Sequence, residues 1–209
     1  MTENTTENNE KEIEISPTED LMREHGVLRR ILLIYSDALK YLQGQKVNNQ
    51  INIYAVIYDT ASIAHKFIEG YHQKLEEQYV FPRFSQKPKY AGLINTLINQ
   101  HNAASNLTEN ILYFTSVKNG CYLKNNLRLI HLLSSYINMY EPHSAREDTV
   151  VFPAFHELLA PEEFNKLGEV FEEIEEQKFG EDGFKRIVNE VAEIEKTLGI
   201  YNLAQFTPI

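Results

Sequence analysis

The chain has 209 residues, 43% of them hydrophobic, a net charge of −10 and a pI of about 5.2. That suffices for one well-buried domain or a domain with an appendage, and the acidic balance without a basic stripe excludes nucleic acid and an anionic membrane surface as partners. No run of about 18 apolar residues offers a membrane span, the polar start reads as no secretory signal, and the single Cys121 excludes an internal disulfide framework and fits a reducing cytoplasm.

Residues 1–15 are polar and of low complexity, and are expected to be a disordered tail. Ser16-Pro17-Thr18-Glu19 reads as a helix start: Ser16 caps, Pro17 fits the first turn and Glu19 can close a capping box. The first helix is predicted from Pro17 to about Gln43, with Leu21, Leu28, Ile31 and Tyr35 at helical spacing. A second runs from about Asn52 to Phe81, where Pro82 breaks it. A third covers about Tyr90–Val117 and ends at the Asn119-Gly120 turn. The fourth runs from about Leu123 to Phe152, with a kink expected at Pro142. Two shorter amphipathic helices are predicted over 161–179 and 184–198, and the apolar residues of the tail 199–209 are expected to pack down. The predicted fold is therefore all-α. It is an up-down-up-down antiparallel four-helix bundle over 16–160 with a C-terminal helical extension, 161–209, packed on it.

One internal repeat carries chemistry. His72-Gln-Lys-Leu-Glu76-Glu77 and His143-Ser-Ala-Arg-Glu147-Asp148 both continue through three residues to Phe-Pro, at Phe81-Pro82 and Phe152-Pro153, 71 residues apart. Each copy follows a helix with a single inward histidine, His25 or His101. Residues four apart stack on one helix face, so each His–Glu pair can reach one metal site, with the carboxylate free to bridge two ions. Imidazole mixed with carboxylate suits iron, zinc, copper or nickel rather than calcium or magnesium. The expected ligands are His25, His72, Glu76, His101, His143 and Glu147. They leave open coordination positions for a small molecule.

At these residues the sequence resembles the hemerythrin-like (HHE cation-binding) family over roughly 18–159, with a C-terminal stretch similar to an extension of a bacterial subgroup. The resemblance implies a four-helix bundle around two iron ions, oxo- or hydroxo-bridged, though the residues alone leave zinc and manganese open. It implies His25 and His143 mainly on one iron, His72 and His101 mainly on the other, and Glu76 and Glu147 bridging. Only four histidines fall in register, against five in the oxygen-carrying hemerythrins. The pattern is therefore closer to proteins of nitric oxide or peroxide chemistry and of iron–sulphur cluster repair. The functions implied are binding or reaction of a small diatomic or peroxide ligand in a stress response, iron or oxygen sensing or storage, or iron donation. The redox partner, enzymatic status and choice between monomer and homodimer stay open.

Further candidates stand near the motif. His65 and Glu69 share the His72 face and could hydrogen-bond behind a ligand; His65 could equally be a solvent-facing histidine. Tyr136, seven before His143, is either a core aromatic or a hydrogen-bond donor to a bound molecule. Glu24 and Glu77 point about 100° from the ligands beside them and read as support or surface, with an extra ligand as the other reading. His131 and His156 read as structural or surface residues, and Cys121 as a plain turn cysteine.

Overall fold

The computed structural model describes residues 15–116 and 126–208. The expected tail over residues 1–14, the Asn119-Gly120 turn, Cys121 and the start of the fourth helix lie outside the described residues.

The Ser16 hydroxyl accepts the Glu19 N–H at 3.3 Å and Pro17 stands in the first turn, opening α1 (Pro17–Leu42) as its capping residues dictate. Asn52 caps α2 (Ile53–Ile63) by accepting the Ala55 N–H at 3.3 Å. This second run does not stay α-helical to Phe81 as predicted. It widens into π-helical turns over Ala64–His72, returns to an α turn over Gln73–Leu75, widens again over Glu76–Val80 and tightens into a 3-10 turn over Phe81–Phe84. Then come α3 (Pro88–Thr115) and α4 (Asn126–Arg146). The last of these runs through Pro142 and passes directly into π-helical turns over Glu147–Val151, followed by α5 (Phe152–Leu158). The two copies of the motif thus widen at the same place, the glutamate. Such turns interrupt α-helices frequently at functional sites.

α6 (Pro161–Phe179) and α7 (Gly183–Leu198) complete the fold, ending at Gly180 and Gly199, whose φ values of 74° and 73° favour glycine. Among the described residues the chain is all-helical. α1 packs on α4 and on the second run, and α3 packs on those same two segments. Leu28, Ile31 and Tyr35, Ile57 and Phe67, Leu97 and Ile111, and Leu133 and Tyr136 are buried between them. α6 and α7 lie on α1, burying Phe171, Ile187 and Val191. The Arg30 guanidinium donates to both oxygens of Glu195, at 3.0 and 2.6 Å, across that contact. The tail corrects an expectation. Ile200 packs against the core, but Tyr201, Leu203 and Phe206 are exposed, the last two on a short 3-10 turn over Leu203–Phe206 capped by Asn202.

Candidate metal centre

Six side chains lose almost all contact with water at one point between the four long segments. They are His25 on α1, His72 and Glu76 on the second run, His101 on α3, His143 near the end of α4, and Glu147 where its helix widens. None is more than 3% exposed. Their rings pair as His25 with His72, centroids 4.6 Å apart, and His101 with His143, 5.1 Å apart. With Glu76 and Glu147 respectively these pairs form two groups, each with ligand atoms within 4.8 Å of one another, that could each hold a metal ion.

The carboxylates connect the two groups. Glu76 Oε2 lies 3.5 Å from His72 Nε2 and 3.4 Å from His101 Nε2. Glu147 Oε2 lies 3.4 Å from His25 Nε2 and 3.0 Å from His143 Nε2. Each carboxylate therefore reaches one imidazole of each pair, the placement of a group that bridges two cations. The grouping differs from the expected one. His25 and His143 share a carboxylate, as do His72 and His101, but the rings that pack together are His25 with His72 and His101 with His143.

Both oxygens of Glu76, both of Glu147, and Nε2 of His25 and of His101 make no hydrogen bond among the described residues. Each buried unpaired polar group costs about 1–3 kcal/mol, and more when charged. Convergent imidazole nitrogens and carboxylate oxygens without other partners fit cations that accept both donor types.

The other ring nitrogen of every histidine is held. His72 Nδ1 lies 2.6 Å from Glu24 Oε2, His101 Nδ1 3.0 Å from Glu77 Oε1, His143 Nδ1 2.8 Å from Gln100 Oε1, and His25 Nδ1 2.6 Å from Asp148 Oδ1. A proton on Nδ1 donated to these acceptors leaves Nε2 as the lone-pair donor aimed inward. The Phe-Pro ends of the repeat close the site. Phe152 stacks on His25 at 5.4 Å between centroids, and Phe81 lies against His101 at 5.5 Å.

Charge is shared unevenly. Burial opposes a charged His25, but the Asp148 and Glu147 carboxylates outweigh it and lift the imidazole to about 10. Burial is likewise overcome at His101 by Glu76 and Glu77, which raise it to about 9. At His72 burial wins and the imidazole falls to about 4. The Glu147 carboxyl resists burial and is held well below its usual range by His143 and His25. The His101 hydrogen bond holds Glu77 at about 2. Burial pushes Glu24 well above the usual range, partly offset by the Tyr71 hydroxyl; a cation at the centre acts in the opposite sense.

The remaining sequence candidates sit outside this ring of contacts. The His65 side chain is 57% exposed and its Nδ1 lies 3.2 Å from the buried Glu69. Tyr136 is fully buried, edge-on to Tyr35 at 5.3 Å and against Tyr140 at 4.6 Å. None of the three holds a histidine of the centre. His131 is exposed, and His156 is an exposed residue stacked on Phe164 at 4.3 Å. Glu24 and Glu77 do hold histidines. Asp148 and Gln100 were missed in that role, though the signal was present: Asp148 is the shared acid of the repeat, and Gln100 precedes its lone histidine as Glu24 precedes His25.

The chain matches the hemerythrin HHE cation-binding domain over residues 16–155. Uncharacterized proteins of Mycobacterium bovis and of two Mycobacterium tuberculosis strains are each 44% identical to it over 199 residues, covering 95% of this chain and 76% of the relative. No solved structure gives a significant match. The matched span contains all six convergent side chains and the four residues that hold their histidines, and the chain belongs to the hemerythrin HHE cation-binding family.

Proposed function

We propose that this is a non-haem di-iron protein in which His25, His72, Glu76, His101, His143 and Glu147 hold two iron ions. Oxygen, peroxide or nitric oxide then binds or reacts there, in the response to oxidative or nitrosative stress. The observation that carries this reading is the convergence of four inward Nε2 atoms on two buried carboxylates without hydrogen bonds. Iron held by these residues would supply redox chemistry and Lewis acidity toward a small molecule. The chain's own contribution is orientation and exclusion. Glu24, Glu77, Gln100 and Asp148 fix the imidazoles, and Phe81 and Phe152 shield the His101 and His25 rings from water.

The proposed frame is an up-down-up-down bundle over 16–160 with 161–209 as its extension, in a cytoplasmic monomer or homodimer. Its support is the opposed order of contacts along α1 and α4, where Tyr35 meets Tyr136 and His25 meets the Glu147 that follows α4. Metal analysis with an ultraviolet–visible spectrum tests the reading. We expect two iron per chain and near-ultraviolet charge-transfer absorption; a spectrally silent zinc protein, or less than one metal per chain, overturns it.

One contact favours a second reading, a module that senses iron or oxygen. The Lys178 ammonium of α6 donates to the Gly70 carbonyl, two residues from His72, and Phe179 lies edge-on to Tyr71 at 5.3 Å. Metal occupancy at His72 would then alter protease sensitivity of 161–209; equal digestion of metal-free and loaded protein rejects it.

A further inference from the structure

The four Nδ1 contacts form a closed circuit. Glu24 of α1 holds His72 of the second run, and Glu77 of that run holds His101 of α3. Gln100 of α3 holds His143 of α4, and Asp148, just beyond α4, holds His25 of α1. Each segment thus fixes the histidine of the next. The circuit is uniform except in chemistry, since three acceptors are acids and one is an amide.

A carboxylate that accepts an Nδ1–H draws the proton towards itself and makes Nε2 a stronger donor to a metal. A neutral amide does so less, because hydrogen bonds to an ionised acceptor are roughly twice as strong. Two acids stand behind the His25–His72 pair. One acid and one amide stand behind His101–His143. A basic side chain draws on one acid in each half, Arg29 on Asp148 and Lys74 on Glu77, so these basic contacts do not offset the difference.

We infer that Gln100 makes the two metal positions unequal, with the ion at His101 and His143 the weaker bound and the first to leave. Gln100 acts through His143, so it is a positioning residue. The inference rests on the dinuclear reading and adds to it a direction of loading, in which the His25–His72 position fills first. The position emptied first is the one beside Tyr140, whose ring stands edge-on to His143 at 5.3 Å.

Anaerobic titration of the metal-free full chain with Co2+, followed by its visible bands, tests this. Wild type should fill in two steps, with affinities separated by about 10-fold or more, the scale on which such supporting partners act. Gln100→Glu should tighten the second step by about 10-fold and draw the two together, while Gln100→Leu should weaken only the second step by about the same factor. Asp148→Asn should weaken the first step and Glu77→Gln the second, which fixes the assignment of steps to histidine pairs. Circular dichroism and retention of the first step in both Gln100 variants show that the fold survives. Two equal steps in wild type, or a Gln100→Glu protein whose second step is unchanged, overturns the inference while leaving the dinuclear reading standing. Fewer than two Co2+ per wild-type chain overturns both.

Discussion

The two copies of the motif make a natural comparison, because they share residues and local geometry but differ in surroundings. In both, the helix widens at the glutamate, the following acid accepts from a histidine of another segment, and the phenylalanine covers that same histidine. The first copy is nonetheless approached through a wide segment, Ala64–His72, and its histidine is held by Glu24. The second is approached through an α-helix containing Pro142, and its histidine is held by Gln100. What the copies share lies within the motif. What separates them comes from the segment leading into each copy and from the helix packed alongside, so a repeat in sequence yields equivalent positions but not equivalent chemistry.

The largest expected effect tests what the copies share. Glu76→Ala and Glu147→Ala should each reduce metal content from two ions per chain to less than one, because each carboxylate reaches both histidine pairs; retention of both ions in either variant, by elemental analysis, breaks the equivalence. Next come the covering rings. Phe81→Ala and Phe152→Ala should each destabilise the fold by about 3–5 kcal/mol in urea unfolding, as for other large-to-small core changes. Both phenylalanines are buried, so a cost confined to one copy would show that the other is not a cover.

The pH dependence of the metal-free protein sharpens the difference between the histidines. His25 and His101 stand at about 10 and about 9, above the ordinary value near 6.5. Their contribution to stability is full below about 6.5 and is lost as pH rises through 9 to 10. His72, at about 4, acts oppositely: the unfolded chain binds more protons between about 6.5 and 4, so stability falls as pH falls through that window. Thermal unfolding across pH should therefore show losses on both sides for the metal-free protein. Metal loading should remove the alkaline loss and release protons at neutral pH, read with an indicator dye. A metal-free protein of unchanged stability between pH 8 and about 10.5 would contradict the raised histidines. The smallest effect concerns the basic partners. Arg29, with a half-exposed side chain, contacts Asp148, so Arg29→Met should change stability by no more than about 1 kcal/mol. A larger change in chemical unfolding would mean that Arg29 is part of what sets His25 apart.

Much of this was legible before the fold. The helical period of α1, the Ser16 cap and the paired His–Glu spacing are local features, written within a turn or two of chain. The tail is the expectation that failed. The tail was expected to pack because Tyr201, Leu203 and Phe206 are apolar, yet apolar content does not say whether a surface remains to receive them. Tyr136 is the core aromatic that one of its two readings expected, and Glu69 meets His65 on the shared helix face. The residues that do hold its histidines are Glu24, Glu77, Gln100 and Asp148.

By itself the sequence determined that the chain is helical, where most helices begin, and which six side chains share inward faces, because periodicity and capping act between near neighbours. Only the tertiary structure decided which imidazoles pair, where the helices widen and which residue holds each Nδ1. Those contacts join residues 24, 43, 48 and 123 positions apart, and no local spacing encodes a partner that a different helix brings into place.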